Sequence, residues 1–302
     1  MTTFRNQLKT VVLLGALSAL IIGLGGLVAP GHLYLFGALA LLMNLGAYFF
    51  SDRIVLRMHG ASEVGPAQAP ELHAMVAELA GRAGIPKPRV FLIPEDQPNA
   101  FATGRNPSKG VVAVTRGIMA LLDRRELRGV LAHEIAHIKN RDILVSSIAA
   151  AGAAIISYVA NALTFGALFG GSSSSDGEEG GGAAGGLLAA FVAPIAAMLI
   201  QMGISRSREY MADATGAQLS GDPEALASAL LKLEHAAEVI PAETAPATAS
   251  LFIVNPFGGM QTVARWFSTH PSTADRVRRL REMTRSTAAG GSARAAWARG
   301  EW

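Results

Sequence analysis

Four stretches of this chain carry no charged side chain: residues 11–29, 32–50, 144–170 and 187–204. Each reaches or approaches the ~20 apolar residues that a helix needs to cross the hydrocarbon core of a bilayer. That constrains the fold before anything else, because a soluble core has little use for so much uninterrupted apolar chain. The first run follows a short basic start with Arg5 and Lys9. A cleaved signal peptide begins the same way, but its apolar part is shorter, and here a second run follows at once. Pro30-Gly31 makes a tight turn between the two, so residues 1–51 read as an N-terminal transmembrane hairpin. The third and fourth runs form a second hairpin, 144–204. They flank a Gly/Ser-rich stretch, 171–186, that holds Asp176, Glu178 and Glu179 but no Lys or Arg and reads as a flexible external loop. Because both runs are rich in Ala and Gly, a buried helical hairpin of a soluble core is the alternative for this pair.

Charge orients the runs. Arg5, Lys9, Arg53, Arg57, Arg141, Arg206 and Arg208 all flank them on one side, while the other side has only Pro30-Gly31 and the acidic loop. By the positive-inside rule, both termini and the segments between the hairpins face the cytoplasm. Composition agrees: a mean hydropathy of +0.33 and 50% hydrophobic residues against 16% charged argue against a purely soluble protein. The net charge of +3 comes without a dense Lys/Arg block, and there is no G-x-x-x-x-G-K loop, so neither nucleic acid nor nucleotide is an expected partner. With no cysteine, there is no disulfide framework, thiolate metal site or thiol nucleophile. A metal must then be held by His and carboxylate, which suits a catalytic site.

The segments outside the hairpins read as two parts of one mixed α+β domain. In residues 52–143, a helix over 70–82 starts at Pro70 and ends at Gly84-Ile85-Pro86. Strands over 89–93 and 110–115 follow, joined by the loop Asn99-Ala-Phe-Ala-Thr-Gly104, and a further helix starts at Ile118. In residues 205–283, Asp222-Pro-Glu224 opens a helix to about 239, and a basic helix ends near Met283. Residues 284–302 are small, polar and Gly-containing, a disordered tail.

The chemistry sits in Leu131-Ala-His133-Glu134-Ile-Ala-His137-Ile138. Two His four apart stack on one helix face and can hold one metal ion, and Glu134 projects beside it, where it can polarise a water. This is the H-E-x-x-H pattern of zinc peptidases. A chance match on a polar helix is the competing reading, but Leu131, Ile135 and Ile138 supply a buried face, and no Pro interrupts residues 124–143. A catalytic zinc takes three protein ligands. A third His six residues after the second is excluded, since Asn140 and Ile143 occupy the positions of that longer motif. The other solution is a Glu from a later helix. Glu209 fits, because it leaves the fourth run on the side where His137 enters the third, and Asp213, one turn on, can orient a ligand His through its ring N–H. Otherwise both are solvated charges near Arg206 and Arg208.

At these residues the chain resembles the HtpX-type membrane zinc peptidases of family M48, relatives of the CAAX prenyl endopeptidase Ste24. The likeness is carried by His133-Glu134-Ile-Ala-His137 with Lys139-Asn140-Arg141-Asp142 and by Ser207-Arg208-Glu209-Tyr210-Met-Ala-Asp213. Asn99-Ala-Phe-Ala-Thr-Gly104 and Ser268-Thr-His270-Pro271 with Arg276 also agree. It runs from Arg5 to about Met283. It implies an α-helical membrane protein with four transmembrane helices and a cytoplasmic α+β gluzincin domain, set in the bacterial inner membrane. It further implies one Zn2+ per chain on His133, His137 and Glu209, with Glu134 as the base. The implied activity is ATP-independent endoproteolysis of misfolded or unassembled membrane proteins, in quality control and stress response. His270 becomes the candidate electrophile for the oxyanion; the plainer reading is a helix-start His before Pro271. Arg276 is expected to pair with Asp213 or Glu209. Residues 110–115 or 99–104 are expected to offer an edge strand to extended substrate. His32, His59, His73 and His235 have no partner pattern and read as ordinary surface or interface residues.

His137 lies seven residues before the third run and Glu209 five after the fourth, which places the zinc within roughly 10–15 Å of the cytoplasmic membrane surface. Cleavage is then expected at cytoplasmic loops, not inside the bilayer. Two other classes stay open: a transporter or channel with a regulatory zinc site, and a membrane scaffold or chaperone with a structural one. Against the first, no run carries a mid-membrane charge. Oligomeric state, a homo-oligomer included, is not fixed by the sequence.

Overall fold

A computed structural model of the chain describes residues 2–28, 30–153, 206–240, 251–254 and 271–285. The chain divides into two compact units. One comprises Met1–Val55, Leu144–Ile204 and Glu243–Leu251, the other Leu56–Ile143, Ser205–Ala242 and Phe252–Trp302.

In the first unit, α1 (Thr2–Val28) and α2 (Leu33–Met58) are joined by a short 3-10 turn at Pro30–His32. Leu13 and Leu17 of α1 pack with Ala47 of α2 and with Ile148 and Ala149 of α6 (Ile143–Ala153). Asn44 ties the pair together, its amide donating to the Leu14 carbonyl at 3.1 Å and to Ser18 Oγ at 2.6 Å. The rest of α2 exposes Leu41, Leu42, Leu45, Phe49 and Phe50, a surface that suits lipid and costs free energy in water. Among the described residues, α2 is the one helix long and apolar enough to cross a membrane. The third run is described over its first ten residues, 144–153, all helical, and the fourth run and the 171–186 loop lie outside the described residues.

The second unit is built on a four-stranded sheet in the order β1-β2-β4-β3, from β1 (Ser62–Glu63), β2 (Arg89–Ile93), β3 (Ala100–Thr103) and β4 (Val111–Thr115). β2 and β4 run parallel, with Arg89 opposite Val111 and Ile93 opposite Thr115. β3 lies antiparallel to β4, with Ala102 opposite Val112. Val111 to Val114 are fully buried, as the central position of β4 requires. Residues 99–104, expected as a loop, thus hold an edge strand; four residues suffice because β4 supplies the whole ladder. Residues 110–115, the other expected edge, are interior.

Six helices complete this unit among the described residues. They are α3 (Pro70–Ala83), α4 (Arg116–Leu121), α5 (Arg124–Asn140), α7 (Arg206–Ser220), α8 (Pro223–Val239) and α9 (residues 273–285). Of these, α4 and α5 lie against the sheet. α3 ends where Gly84 takes a left-handed φ of 69°. α5 is the pivot, packed against α3, α7, α8 and β3, with Val130, Leu131, Ala132, Ile135, Ala136 and Ile138 all fully buried. Its start is fixed by a capping box, Asp123 accepting from the Glu126 N–H while the Glu126 carboxylate accepts from the Asp123 N–H. The expected unbroken pattern to Ile143 is interrupted. α5 stops at Asn140, and Arg141 turns left-handed at φ 57°. That turn brings Asp142 back toward His137.

Two histidines expected at a surface are buried. His59 Nδ1 meets Glu95 at 2.9 Å, with its ring against Phe101 of β3. His73 is held between the Val64 carbonyl and Lys87, each 2.9 Å away. Both pairings join residues distant in sequence, so spacing alone gave no sign of them.

Candidate metal centre

One turn of α5 separates His133 and His137, and their rings meet edge to face with centroids 4.7 Å apart. The two Nε2 atoms lie 3.1 Å from each other. α7 brings in Glu209, whose Oε2 is 3.6 Å from His133 Nε2 and whose Oε1 is 3.7 Å from His137 Nε2. All three ligand atoms fall within 4.8 Å of one another. Two imidazole lone pairs and a carboxylate at such distances repel unless positive charge lies between them. A divalent cation would fit this donor set of two nitrogens and one oxygen, with a place left open for water or substrate.

The far side of each imidazole is also held by a carboxylate. His137 Nδ1 lies 3.1 Å from both oxygens of Asp142. His133 Nδ1 lies 2.9 Å from Asp213 Oδ1, a short ion-pair contact. Asp213 is one turn beyond Glu209 on α7. It accepts two bonds from Arg276 of α9, at 2.8 and 2.7 Å, and Arg276 also donates to the Ile253 carbonyl at 2.7 Å. Arg276 is 1% exposed and lies 4.0 Å from Glu209. Burying a guanidinium is tolerable only with such bidentate pairing. Asn99 completes the frame, its side chain accepting from the Ile253 N–H at 3.3 Å.

Charge follows from this arrangement. Four carboxylates, from Glu134, Asp142, Glu209 and Asp213, gather at the two imidazoles, and the Arg276 guanidinium answers one of them. Burial disfavours charge on His137, but Asp142, Glu209 and Glu134 outweigh it and hold its pKa up at about 10. His133 is raised in the same way, against its own burial, by Asp213 and Glu209. Burial pushes Asp213 upward, yet Arg276 and His133 bring it down to about 2, so it stays ionised. The pocket favours positive charge at the two Nε2 atoms, as a proton or as a metal ion.

Glu134 behaves differently. It is 4% exposed, and burial raises its carboxyl above the ordinary range, with the neighbouring imidazoles opposing and Glu209 adding to the rise. The backbone N–H of Ala102 on β3 donates to it. The carboxylate therefore sits against the edge of the sheet, next to the paired imidazoles.

The profile of peptidase family M48 matches residues 66–284. The chain belongs to family M48. It is a metalloprotease, in keeping with its relatives. A protease HtpX homolog of Syntrophobacter fumaroxidans is 55% identical over 281 residues, covering 92% of this chain and 99% of that protein. Another, from a Sulfurihydrogenibium species, is 50% identical over 288 residues, covering 93% and 97%. A crystal structure of S. mikatae Ste24p is a more distant likeness, 20% identical with a TM-score of 0.48, over 92% of this chain and 66% of that one.

Of the residues singled out in this M48 chain, the structure brings together His133, Glu134, His137, Glu209, Asp213 and Arg276. His270 lies outside the described residues. Sequence reasoning gave no role to Asp142, the Ala102 N–H or the Ile253 carbonyl. Asp142 carried a signal, a carboxylate just past the helix end and five residues beyond a ligand His. The two backbone groups carried none.

Proposed function

We propose that this chain is a zinc-dependent endopeptidase of the bacterial inner membrane that cleaves misfolded or unassembled membrane proteins at cytoplasmic-side segments. The observation that carries the reading is the convergence of His133, His137 and Glu209 beside the buried Glu134, against an edge strand. His133 and His137 give two nitrogens and Glu209 one oxygen to a single zinc ion per chain. Bound there, zinc supplies a Lewis acid that activates water and polarises a carbonyl.

The chain's own residues do the rest. Substrate lies extended along β3, whose outer edge has no strand partner among the described residues, and main-chain hydrogen bonds fix its register. Glu134, held by the Ala102 N–H, takes the proton of the attacking water on its carboxylate. Water attack forms the new C–O bond and places negative charge on the former carbonyl oxygen. Glu134 then passes its proton to the amine nitrogen, and the peptide C–N bond breaks as the carbonyl re-forms. Its raised pKa suits both roles. Asp142 and Asp213 keep the ligand imidazoles in the tautomer that presents Nε2, and Arg276 holds Asp213 ionised. His270 is our candidate donor to the developing oxyanion.

The exposed apolar flank of α2 and the one-sided Arg/Lys pattern support a membrane setting. In this reading residues 1–51 and 144–204 are two transmembrane hairpins, the second with an external loop at 171–186. Residues 52–143 and 205–283 together make the cytoplasmic catalytic domain, and 284–302 is a tail. An extended scissile bond is a requirement of edge-strand binding, so unfolded cytoplasmic loops are preferred over helical segments in the bilayer, whose backbone is already hydrogen-bonded.

Glu134→Gln separates binding from chemistry. The variant should keep about one zinc per chain and lose activity on an unfolded protein substrate by at least 100-fold. Retained turnover would remove Glu134 as the base, and lost zinc would make it part of the ligand set.

A further inference from the structure

α5 and α7 approach each other through backbone at Gly216. A Cβ built on Gly216 would lie 2.8 Å from the His133 nitrogen, 2.9 Å from its Cα and 3.1 Å from the Ala132 carbonyl carbon. These are main-chain atoms of a buried helix, so no side-chain rotation can relieve the clash. The residue approached is itself a metal-site His. On α7, Glu209, Asp213 and Gly216 are spaced by four and three, hence share one face. The face that supplies the third ligand and the Asp partner of His133 therefore also carries this backbone contact.

We propose that Gly216 is a positioning residue for the metal site: by letting α7 rest on the backbone of His133, it sets the reach of Glu209 and Asp213. The proposal rests on the zinc site of the preceding section. Magnitudes support it. An ordinary Cβ contact begins at 3.4 Å, so an alanine at 216 must part the helices locally by about 0.6 Å. Metal–ligand distances tolerate about 0.2 Å. If α7 moves as a body, Glu209 leaves its position near the two Nε2 atoms. If it tilts, Asp213 is displaced most, being one turn from Gly216, and its 2.9 Å contact with His133 Nδ1 opens. Either motion weakens the site.

A second glycine gives the control. Gly129, on α5, makes an equally close approach, its Cβ position 2.9 Å from the Leu226 nitrogen of α8. No residue of the metal site takes part in that contact. Gly129→Ala should therefore cost packing without touching ligand geometry.

The experiment compares the full-length detergent-solubilised protein with Gly216→Ala, Gly129→Ala and Glu209→Ala. Zn2+ affinity is measured by chelator competition, the absorption spectrum is recorded with Co2+, and melting is followed in the apo form. Both glycine variants should melt lower. Gly216→Ala should also bind Zn2+ about 10–100-fold more weakly and shift the Co2+ spectrum, while Gly129→Ala should do neither. Wild-type affinity in Gly216→Ala, or equal weakening in both, overturns the proposal. Wild-type affinity in Glu209→Ala instead overturns the zinc site on which it rests. Should Gly216→Ala not fold, amide exchange of the wild type decides. Protection at His133 and Gly216 that survives chelation means the glycine contact sets the spacing; protection lost on chelation means that the metal does, and the proposal fails.

Discussion

Asp142 and Asp213 do the same task for different imidazoles, but they are held in different ways. Asp213 is anchored by two bonds from a buried Arg276. Asp142 depends on a left-handed turn at Arg141, a conformation that costs a non-glycine residue roughly 1–2 kcal/mol. Asp142→Asn leaves an oxygen that can accept from the His137 N–H but removes the charge. Zinc affinity should fall about tenfold, and Asp142→Ala should lower it further, toward 100-fold. Chelator competition measures both, and unchanged affinity in the alanine variant would show that the contact does not orient His137. At this scale the sequence was informative where spacing within a helix sets geometry, as for His133 with His137 or Glu209 with Asp213. It gave only a weak sign where geometry depends on a backbone turn, as for Asp142, and none where it depends on a main-chain group, as for the Ala102 N–H.

Glu126 shows how an element is fixed in place. It closes the capping box of α5 and then reaches α8, accepting from Ser228 Oγ and Lys232 Nζ at 2.7 Å each. Burial raises its carboxyl pKa, but Lys232, Ser228 and the Asp123 N–H outweigh that and hold it below the ordinary value. With the folded pKa depressed, its stabilisation is present above the unfolded value near 4.5 and is lost as pH falls through the lower folded one. Glu126→Gln should thus cost about 1–3 kcal/mol at pH 7. The gap from wild type should narrow as pH drops below about 4.5. Melting curves from pH 7 down to 3 test this, and a gap that stays constant with pH would assign the loss to packing. The helix start was legible in Asp123 and Glu126. The tie to α8 was not, since Lys232 lies 106 residues away and meets Glu126 only through tertiary packing. β3 was missed for a related reason: Ala100–Thr103 is too short to read as a strand, and its ladder is provided by β4.

For the whole molecule, the two proposed membrane hairpins and the segments between them make a testable topology. A reporter fused after Met283 should be cytoplasmic, and one inserted near Ser174 should be external. Finding both on the same side would mean that residues 144–204 do not cross the membrane. The first pair of helices was readable because α1 and α2 are each built around a long uncharged run, and Pro30-Gly31 joins them. The join between α5 and α6 was not, because the helix stops at a left-handed turn on Arg141, a residue type that gives no turn signal. The metal site draws on residues from both sides of the stretch 144–204, so no single continuous segment holds it.

The crowding of four carboxylates around two imidazoles has a further consequence, for how long the protein survives in a cell. A cation that binds the folded form and not the unfolded one adds stability by mass action, about 2.7 kcal/mol at a free concentration 100 times its Kd. If the site holds its metal in the cell, the lifetime of the protein should follow metal supply, since scarcity would both silence the enzyme and expose it to other proteases. Resistance to added trypsin should rise with free Zn2+ and level off once the site is filled. Digestion at one rate across that range, in protein shown to bind the metal, would break the link.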